Sequence, residues 1–232
     1  RITRIINNPS GHALLVGVGG SGKKSLSRLA SFICGYQTST IQISATYGIN
    51  DLKTDLQEMY KKAGIKGEGV MFLFTDAEIT NERFLVYLND LLGSADIAGL
   101  YAQDEKDEVI GSVTKKAKAA GFAPEPGPVY DFFLQEVRRN LHVCLCCSPV
   151  GPDFSTRCQR FPALVNCTVI DWFQPWPEQA LYSVGCKFLE AIEDLGGDAV
   201  RAQLQTFMPE LAGSTNAMAT TFKQMEGRFV YT

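Results

Sequence analysis

The sequence has no apolar stretch approaching the ~20 residues that span a bilayer. Residues 1 to 20 lack the charged, apolar and small-residue order of a signal peptide. Neither a membrane partner nor a secreted protein is therefore expected, but a soluble intracellular one. There are only two histidines, and the seven cysteines, an odd number, show no paired metal-ligand spacing, so a zinc site would have too few ligands. Charge of one sign is also missing. The 22 basic and 25 acidic residues are spread along the chain for a formal net charge of −3, which offers nucleic acid no basic groove. What is present is apolar: 45% hydrophobic against 20% charged residues in a chain of 232, enough to bury a core and too much for disorder.

Short apolar runs recur at His12 to Val16, Thr40 to Ile43, Val70 to Phe74, Leu141 to Cys147 and Cys167 to Trp172. Each is too short for a buried helix, and segments with helical spacing lie between them, which is the rhythm of βαβ units in a mostly parallel sheet. Cys144 and Cys146 alternate within their run and read as small core residues. Phe84, Leu85, Leu88, Leu91 and Leu92 fall on one helical face, as do Leu181, Val184, Phe188 and Ile192, so both segments predict core-facing helices. Ser10-Gly11 marks the turn into the first strand. Asn50 is placed to cap a helix that Gly64 ends. Residues 93–128, rich in Gly, Asp and Lys and closed by Ala123-Pro-Glu-Pro-Gly-Pro128, read as an insertion with a helix near Glu105 to Ala120. Gly196-Gly197 separates this region from a helical tail, so the expected division is a large α/β part over 1–192 and a small helical subdomain over 193–232.

Gly17, Val18, Gly19, Gly20, Ser21, Gly22 and Lys23 follow directly on the first strand and precede a helix whose apolar positions include Leu26, Leu29, Ala30 and Ile33. This is G-x-x-x-x-G-K in the strand and helix setting that a phosphate-binding P-loop requires. The glycines let successive backbone N–H groups converge on phosphate oxygens, the helix N-terminus adds its positive dipole end, and Lys23 reaches the β- and γ-phosphates. The expected ligand is ATP or ADP. Where the motif uses Ser or Thr to hold Mg²⁺, however, the chain has Lys24, with Ser25 one residue later. A charged lysine cannot ligate a cation, so Mg²⁺ binding is in question even though phosphate binding is not.

The third run ends in Thr75-Asp76-Ala77-Glu78, where a P-loop ATPase carries a metal-side aspartate followed by a glutamate that polarises water. Two registers are open. With Asp76 as the metal-side acid, the adjacent base position is Ala77; with Thr75 in the aspartate position, Asp76 stands in for the glutamate with a side chain one methylene short. A third reading has Asp76 only capping a helix that begins near Thr80. Glu78 and Glu82 read as solvated acids at a helix start. Displacing a general base by ~1 Å costs about a hundredfold in rate, so the expectation is nucleotide binding with slow or absent turnover. The fourth run ends at Ser148, either a sensor that donates to the γ-phosphate or a plain strand-end turn. His142 reads as a structural histidine. Arg157 and Arg160 fall on a helix before the fifth strand, either as an arginine finger toward a neighbour's γ-phosphate or as an ordinary basic face. Cys167, at a common finger position, counts against the finger.

The strings GHALLVGVGGSGKKSLSRLA, FLFTDAEITNERFLVYLNDLL, EVRRNLHVCLCCSPVG and RFPALVNCTVIDWFQPWP resemble the fourth AAA+ module of axonemal dynein heavy chains, over roughly residues 8–192 and again at Gly227 to Thr232. The resemblance implies an α/β P-loop NTPase fold of AAA+ type, with a five-stranded, mostly parallel sheet flanked by helices and a small helical C-terminal subdomain. It implies Lys23 for phosphate, Asp76 for the acidic position, Ser148 for the sensor, Arg157 or Arg160 for the preceding module's nucleotide, and Ile5 and Ile6 against the base. It also implies neighbouring AAA+ modules of one heavy chain, a microtubule-binding stalk, intermediate and light chains as partners of the parent, a regulatory role for this module, and a place in the cytoplasm, cytoskeleton and ciliary axoneme.

Overall fold

The computed structural model describes all residues except 45, 151–152, 175, 193–195 and 228–232. Helix α1 (Ile2–Ile6) turns into strand β1 (Ala13–Val16). Ser10 is left-handed there (φ 55°), and a Cβ on Gly11 would lie 1.8 Å from the Ile5 carbonyl oxygen, so this turn accepts only glycine at its second position. Then follow α2 (Lys23–Ile33), β2 (Gln37–Ser39), α3 (Ile49–Tyr60), β3 (Val70–Thr75), α4 (Arg83–Gly93), α5 (Gln103–Ala119), α6 (Pro126–Asn140), β4 (Leu141–Cys147), α7 (Asp153–Arg160), α8 (Ala163–Asn166), β5 (Val169–Trp172), α9 (Glu178–Glu190) and α10 (Asp198–Glu226). The five strands pair in parallel in the order β2-β3-β4-β1-β5. The chain leaves β1 toward one side of the sheet and β4 toward the other. The carboxyl ends of β1, β3 and β4 therefore meet at a switch point, the usual ligand site of such sheets.

One face of the sheet carries the main core. Leu14, Phe72, Phe74, Val143 and Leu145 bury there against Leu52 and Leu56 of α3, Phe84 and Leu88 of α4, and Phe133 and Val137 of α6. The expected α4 face is buried in full. The segment 93–128 is no loose insertion, because Ile97, Leu100, Val109, Val113 and Ala117 belong to the same buried cluster. Its proline run starts a helix instead of ending a loop. Pro126 is the first residue of α6, where a missing N–H costs nothing.

Three local expectations shift. The second strand lies at Gln37–Ser39, not Thr40 to Ile43; it is a half-exposed polar edge strand that apolarity does not mark. Helix α3 starts after Gly48, whose N–H is taken by Asp51 Oδ2 at 2.8 Å, so Asn50 is not its cap. It continues through a π-helical turn, Lys61–Lys66, that Gly67 closes at φ 76°. Gly64 sits inside that turn because a Cβ there would come within 2.3 Å of Phe133.

The other face is covered by α1 and α2. Helix α2 turns its small residues Ser27, Ala30 and Ser31 to the interior, while its larger apolar residues Leu26, Leu29 and Ile33 are exposed. Ser27 Oγ donates to the Lys23 carbonyl and meets Cys144 Sγ at 3.1 Å, so a small polar face suits the small cysteine positions of β4.

By its internal contacts the chain divides into two compact units, Arg1–Gly17 with Gly22–Trp172, and Val18–Ser21 with Phe173–Thr232. The division after Trp172 lies earlier than the boundary at 192 read from Gly196-Gly197. In the second unit α9 packs on α10. Arg201 donates to the carbonyls of Leu189 and Ile192 at 3.0 Å each and so closes the end of α9. Gly185 and Leu189 are the buried positions of α9. Val184, Ile192 and Phe188 (69%) are exposed, against expectation. The reason is contact at the position without a side chain: Met208 Sδ lies 3.4 Å from where a Gly185 Cβ would stand.

Candidate functional site

At the end of β1, Gly17 N–H donates to the Cys147 carbonyl at 3.1 Å, tying the start of the glycine-rich loop to the end of β4. Lys23, the first residue of α2, returns its ammonium to the Gly17 carbonyl at 2.6 Å. Within the loop, the Ser21 N–H and hydroxyl both donate to the Val18 carbonyl, at 3.3 and 2.8 Å. Gly20 (φ 73°) and Gly22 (φ 84°) are left-handed, the conformation that makes glycine necessary here. Gly19 and Gly20 are exposed. Ser25 is exposed on α2.

At the ends of β3 and β4 the acidic side chains are hydrogen-bonded to the protein's own backbone. Thr75 is the last residue of β3, level with Cys146, and is 3% exposed; its hydroxyl has no partner among the described residues. Asp76 leaves the strand in a short 3-10 turn, Asp76–Glu78. One of its carboxylate oxygens accepts the Ser148 N–H at 2.8 Å and the other the Ala77 N–H at 3.0 Å. Asp76 and Ser148, each read from the sequence as a separate strand-end candidate, are thus joined by a tie between the ends of β3 and β4. Among the described residues the Ser148 hydroxyl accepts the Val150 N–H, at 3.4 Å. Asp76 does not cap α4, which begins at Arg83 with its N–H on Asn81 Oδ1 at 2.9 Å.

Glu78 is the residue that sequence reasoning missed. Instead of a solvated acid it is 14% exposed, accepts the Thr75 N–H at 2.9 Å and faces Lys24 Nζ at 3.8 Å. Its spacing three residues after a strand-end threonine was the available signal.

Neither arginine projects freely. Arg160 pairs with Glu82, itself no isolated acid. Arg157 lines a cavity of about 390 Å³ between the sheet and α4, α7 and α8, with Leu14, Phe74, Leu85, Leu145, Phe154 and Leu164 as its apolar wall and Asp76 and Ser148 also lining it. The Arg157 Nε is buried there with no partner among the described residues. In the same wall the Cys147 thiol is pushed up to about 12 by burial and by the Asp76 charge, so it stays protonated. Ile5 and Ile6 are buried in α1, against α2 and β1. His142 is structural: its Nδ1 pairs with the Gly11 carbonyl at 2.9 Å and its ring stacks on Tyr36 at 5.1 Å.

The donor set does not fit Mg²⁺. The two places that hold it in P-loop proteins are the residue after the lysine and the acid at the end of the neighbouring strand. Here the first is a cation, Lys24, and the second is an enclosed threonine hydroxyl followed by a carboxylate whose two oxygens already accept backbone N–H groups. Among the described residues no group of three or more His, Cys, Asp or Glu converges on a metal position, and no helix is long and apolar enough to cross a membrane.

The family model for the P-loop containing dynein motor region D4 matches residues 1–232. The chain is 51% identical over 232 residues to the dynein alpha chain of the flagellar outer arm of Chlamydomonas reinhardtii. It is 46% identical to human dynein axonemal heavy chain 17 and 45% to the ciliary dynein beta chain of Tripneustes gratilla. In each case the match covers 100% of this chain and 5% of the relative. An all-parallel sheet in the order β2-β3-β4-β1-β5, a G-x-x-x-x-G-K loop after its β1 and a match along its whole length agree, and the chain belongs to the P-loop-containing dynein motor region D4 family.

Proposed function

We propose that this chain is the nucleotide-binding, regulatory AAA+ module of a dynein-type microtubule motor, taking ATP or ADP with weak or absent hydrolysis of its own. One contrast carries the reading. The phosphate loop keeps its glycines and its lysine, whereas Asp76, the acid nearest the strand ends, spends both oxygens on the Ser148 and Ala77 amides. A general base has to reach the attacking water, and this carboxylate is held by the backbone instead. Because β3 runs through Thr75, the register with Thr75 in the metal-side position and Asp76 in the base position accounts best for the buried hydroxyl.

Lys23 is the phosphate lysine, Ser148 the sensor position, and Ile5 and Ile6 lie beneath the base. Arg157 and Arg160 serve the preceding module only after leaving the cavity and Glu82 respectively. In the parent heavy chain this module works between neighbouring AAA+ modules and passes its nucleotide state toward the microtubule-binding stalk, with intermediate and light chains elsewhere on the parent. The ciliary axoneme is its setting, by analogy with relatives named for flagellar and ciliary dyneins. Equilibrium titration with ATP and ADP tests the reading. Submillimolar binding that Lys23→Ala abolishes, without turnover attributable to this loop, is expected. No binding at millimolar nucleotide would leave a purely structural module, and turnover lost in Lys23→Ala would make it an active ATPase.

A further inference from the structure

We infer that Lys24 takes the place of the metal ion in this module: its ammonium, steered by Glu78, supplies the positive charge that Mg²⁺ supplies in other P-loops, so that nucleotide binds here without a metal. The inference rests on the nucleotide-binding reading above and concerns how the phosphates are neutralised.

In P-loop proteins Mg²⁺ bridges the hydroxyl of the residue after the lysine and the acidic end of the neighbouring strand, and offsets charge on the β- and γ-oxygens. In this chain an ion pair joins the first of these places to the turn that follows β3. Lys24 is the second residue of α2, directly after Lys23, and its Nζ lies 3.8 Å from Glu78 Oε1. The other Glu78 oxygen, Oε2, accepts the N–H of Thr75, the final residue of β3, at 2.9 Å. Glu78 is largely enclosed and fixed, while Lys24 keeps 53% of its side chain exposed. The arrangement is therefore an anchored anion holding an exposed cation at the helix mouth. An incoming polyphosphate competes with a single carboxylate for that cation, and its larger charge wins. A metal ion entering with the nucleotide would instead meet an ammonium where it needs an oxygen ligand, and would also lower the phosphate charge that Lys23 and Lys24 attract.

The test uses the full-length heavy chain that contains this segment, photolabelled with an azido-ATP in Mg²⁺ or in EDTA, with label counted on peptides from residues 1–232. Wild type is expected to give the same half-labelling concentration in both media, within about twofold. Lys24→Thr, at an exposed position, is expected to raise it about tenfold in EDTA, the value of one charge-assisted contact, with Mg²⁺ recovering part of the loss. Glu78→Gln keeps the ammonium and removes the competing charge, so metal-free labelling should equal or exceed wild type. Labelling of wild type that vanishes in EDTA, or a Lys24→Thr chain that labels normally in EDTA, would overturn the inference and leave the nucleotide-binding reading standing. Absence of label from this segment in both media, with label elsewhere on the chain, would remove that reading and this inference together.

Discussion

The end of β1 and the ends of β3 and β4 lie side by side on one edge of one sheet, yet they have been treated oppositely. At β1 the glycines that need left-handed φ and the lysine at the helix mouth are all kept. At β3 and β4 the two acids are paired with neighbours: Asp76 with two amides, Glu78 with an amide and Lys24. The difference teaches that holding a phosphate chain and cleaving it are separable demands on one fold. Holding needs backbone amides and a cation. Cleaving also needs oxygen ligands for a metal and a base within reach of the attacking water.

The comparison breaks most sharply at Lys23. Lys23→Ala should weaken ATP and ADP binding by about a hundredfold, since charge-assisted contacts to phosphate are the strongest in the site; isothermal titration would show it, and a loss under about threefold would mean that the loop does not carry binding. The opposite edge of the sheet supplies a contrast of similar size. His12 is buried, accepts the Val143 N–H on Nδ1 at 3.0 Å and is lowered to about 4, first by burial and then by His142. A histidine kept neutral in the fold binds its proton more readily when unfolded. Stability contributed by His12 is therefore intact above pH 6.5 and is lost as pH falls from 6.5 toward 4, by on the order of 3 kcal/mol. Denaturant midpoints across that range should fall less steeply in His12→Asn.

Smaller effects sharpen the strand-end half. Asp76→Ala should cost about 2 kcal/mol of unfolding free energy, because two backbone N–H groups lose their acceptor. Ser148→Ala, whose hydroxyl makes one 3.4 Å contact, should cost less than about 0.5 kcal/mol. Equal losses in chemical unfolding would show that the tie is not carried by the carboxylate. Glu82→Ala, which frees an exposed Arg160, should change stability by under about 1 kcal/mol, and its effect should shrink further in high salt.

Much of this was legible from the residues. Periodicity located β3 and β4 and the buried face of α4, because a fully buried strand and an amphipathic helix each write their period into the apolar positions. It failed at β2, whose Gln37-Thr-Ser39 is a polar edge, and at Gly64, read as a helix stop when its role is to let Phe133 approach. It failed also on α9, where Val184 and Phe188 face outward and the buried positions are Gly185 and Leu189. Apolar spacing reports which side of a helix is greasy, whereas close contact selects the side that is small.

The amino-acid sequence by itself determined the parallel α/β class, the G-x-x-x-x-G-K loop and the lysine that follows it at position 24, because these depend on residue type at fixed local spacing, and it left the register of Thr75 and Asp76 open. Only the tertiary structure decided what the neighbouring charges do. That Asp76 binds the Ser148 amide, that Glu78 holds Lys24, and that Arg157 and Arg160 are turned toward their own module all follow from how β3, β4 and α7 are brought together. Pairing across 72 or 78 residues of chain leaves no local mark, since it is set by which strand ends the sheet order makes adjacent.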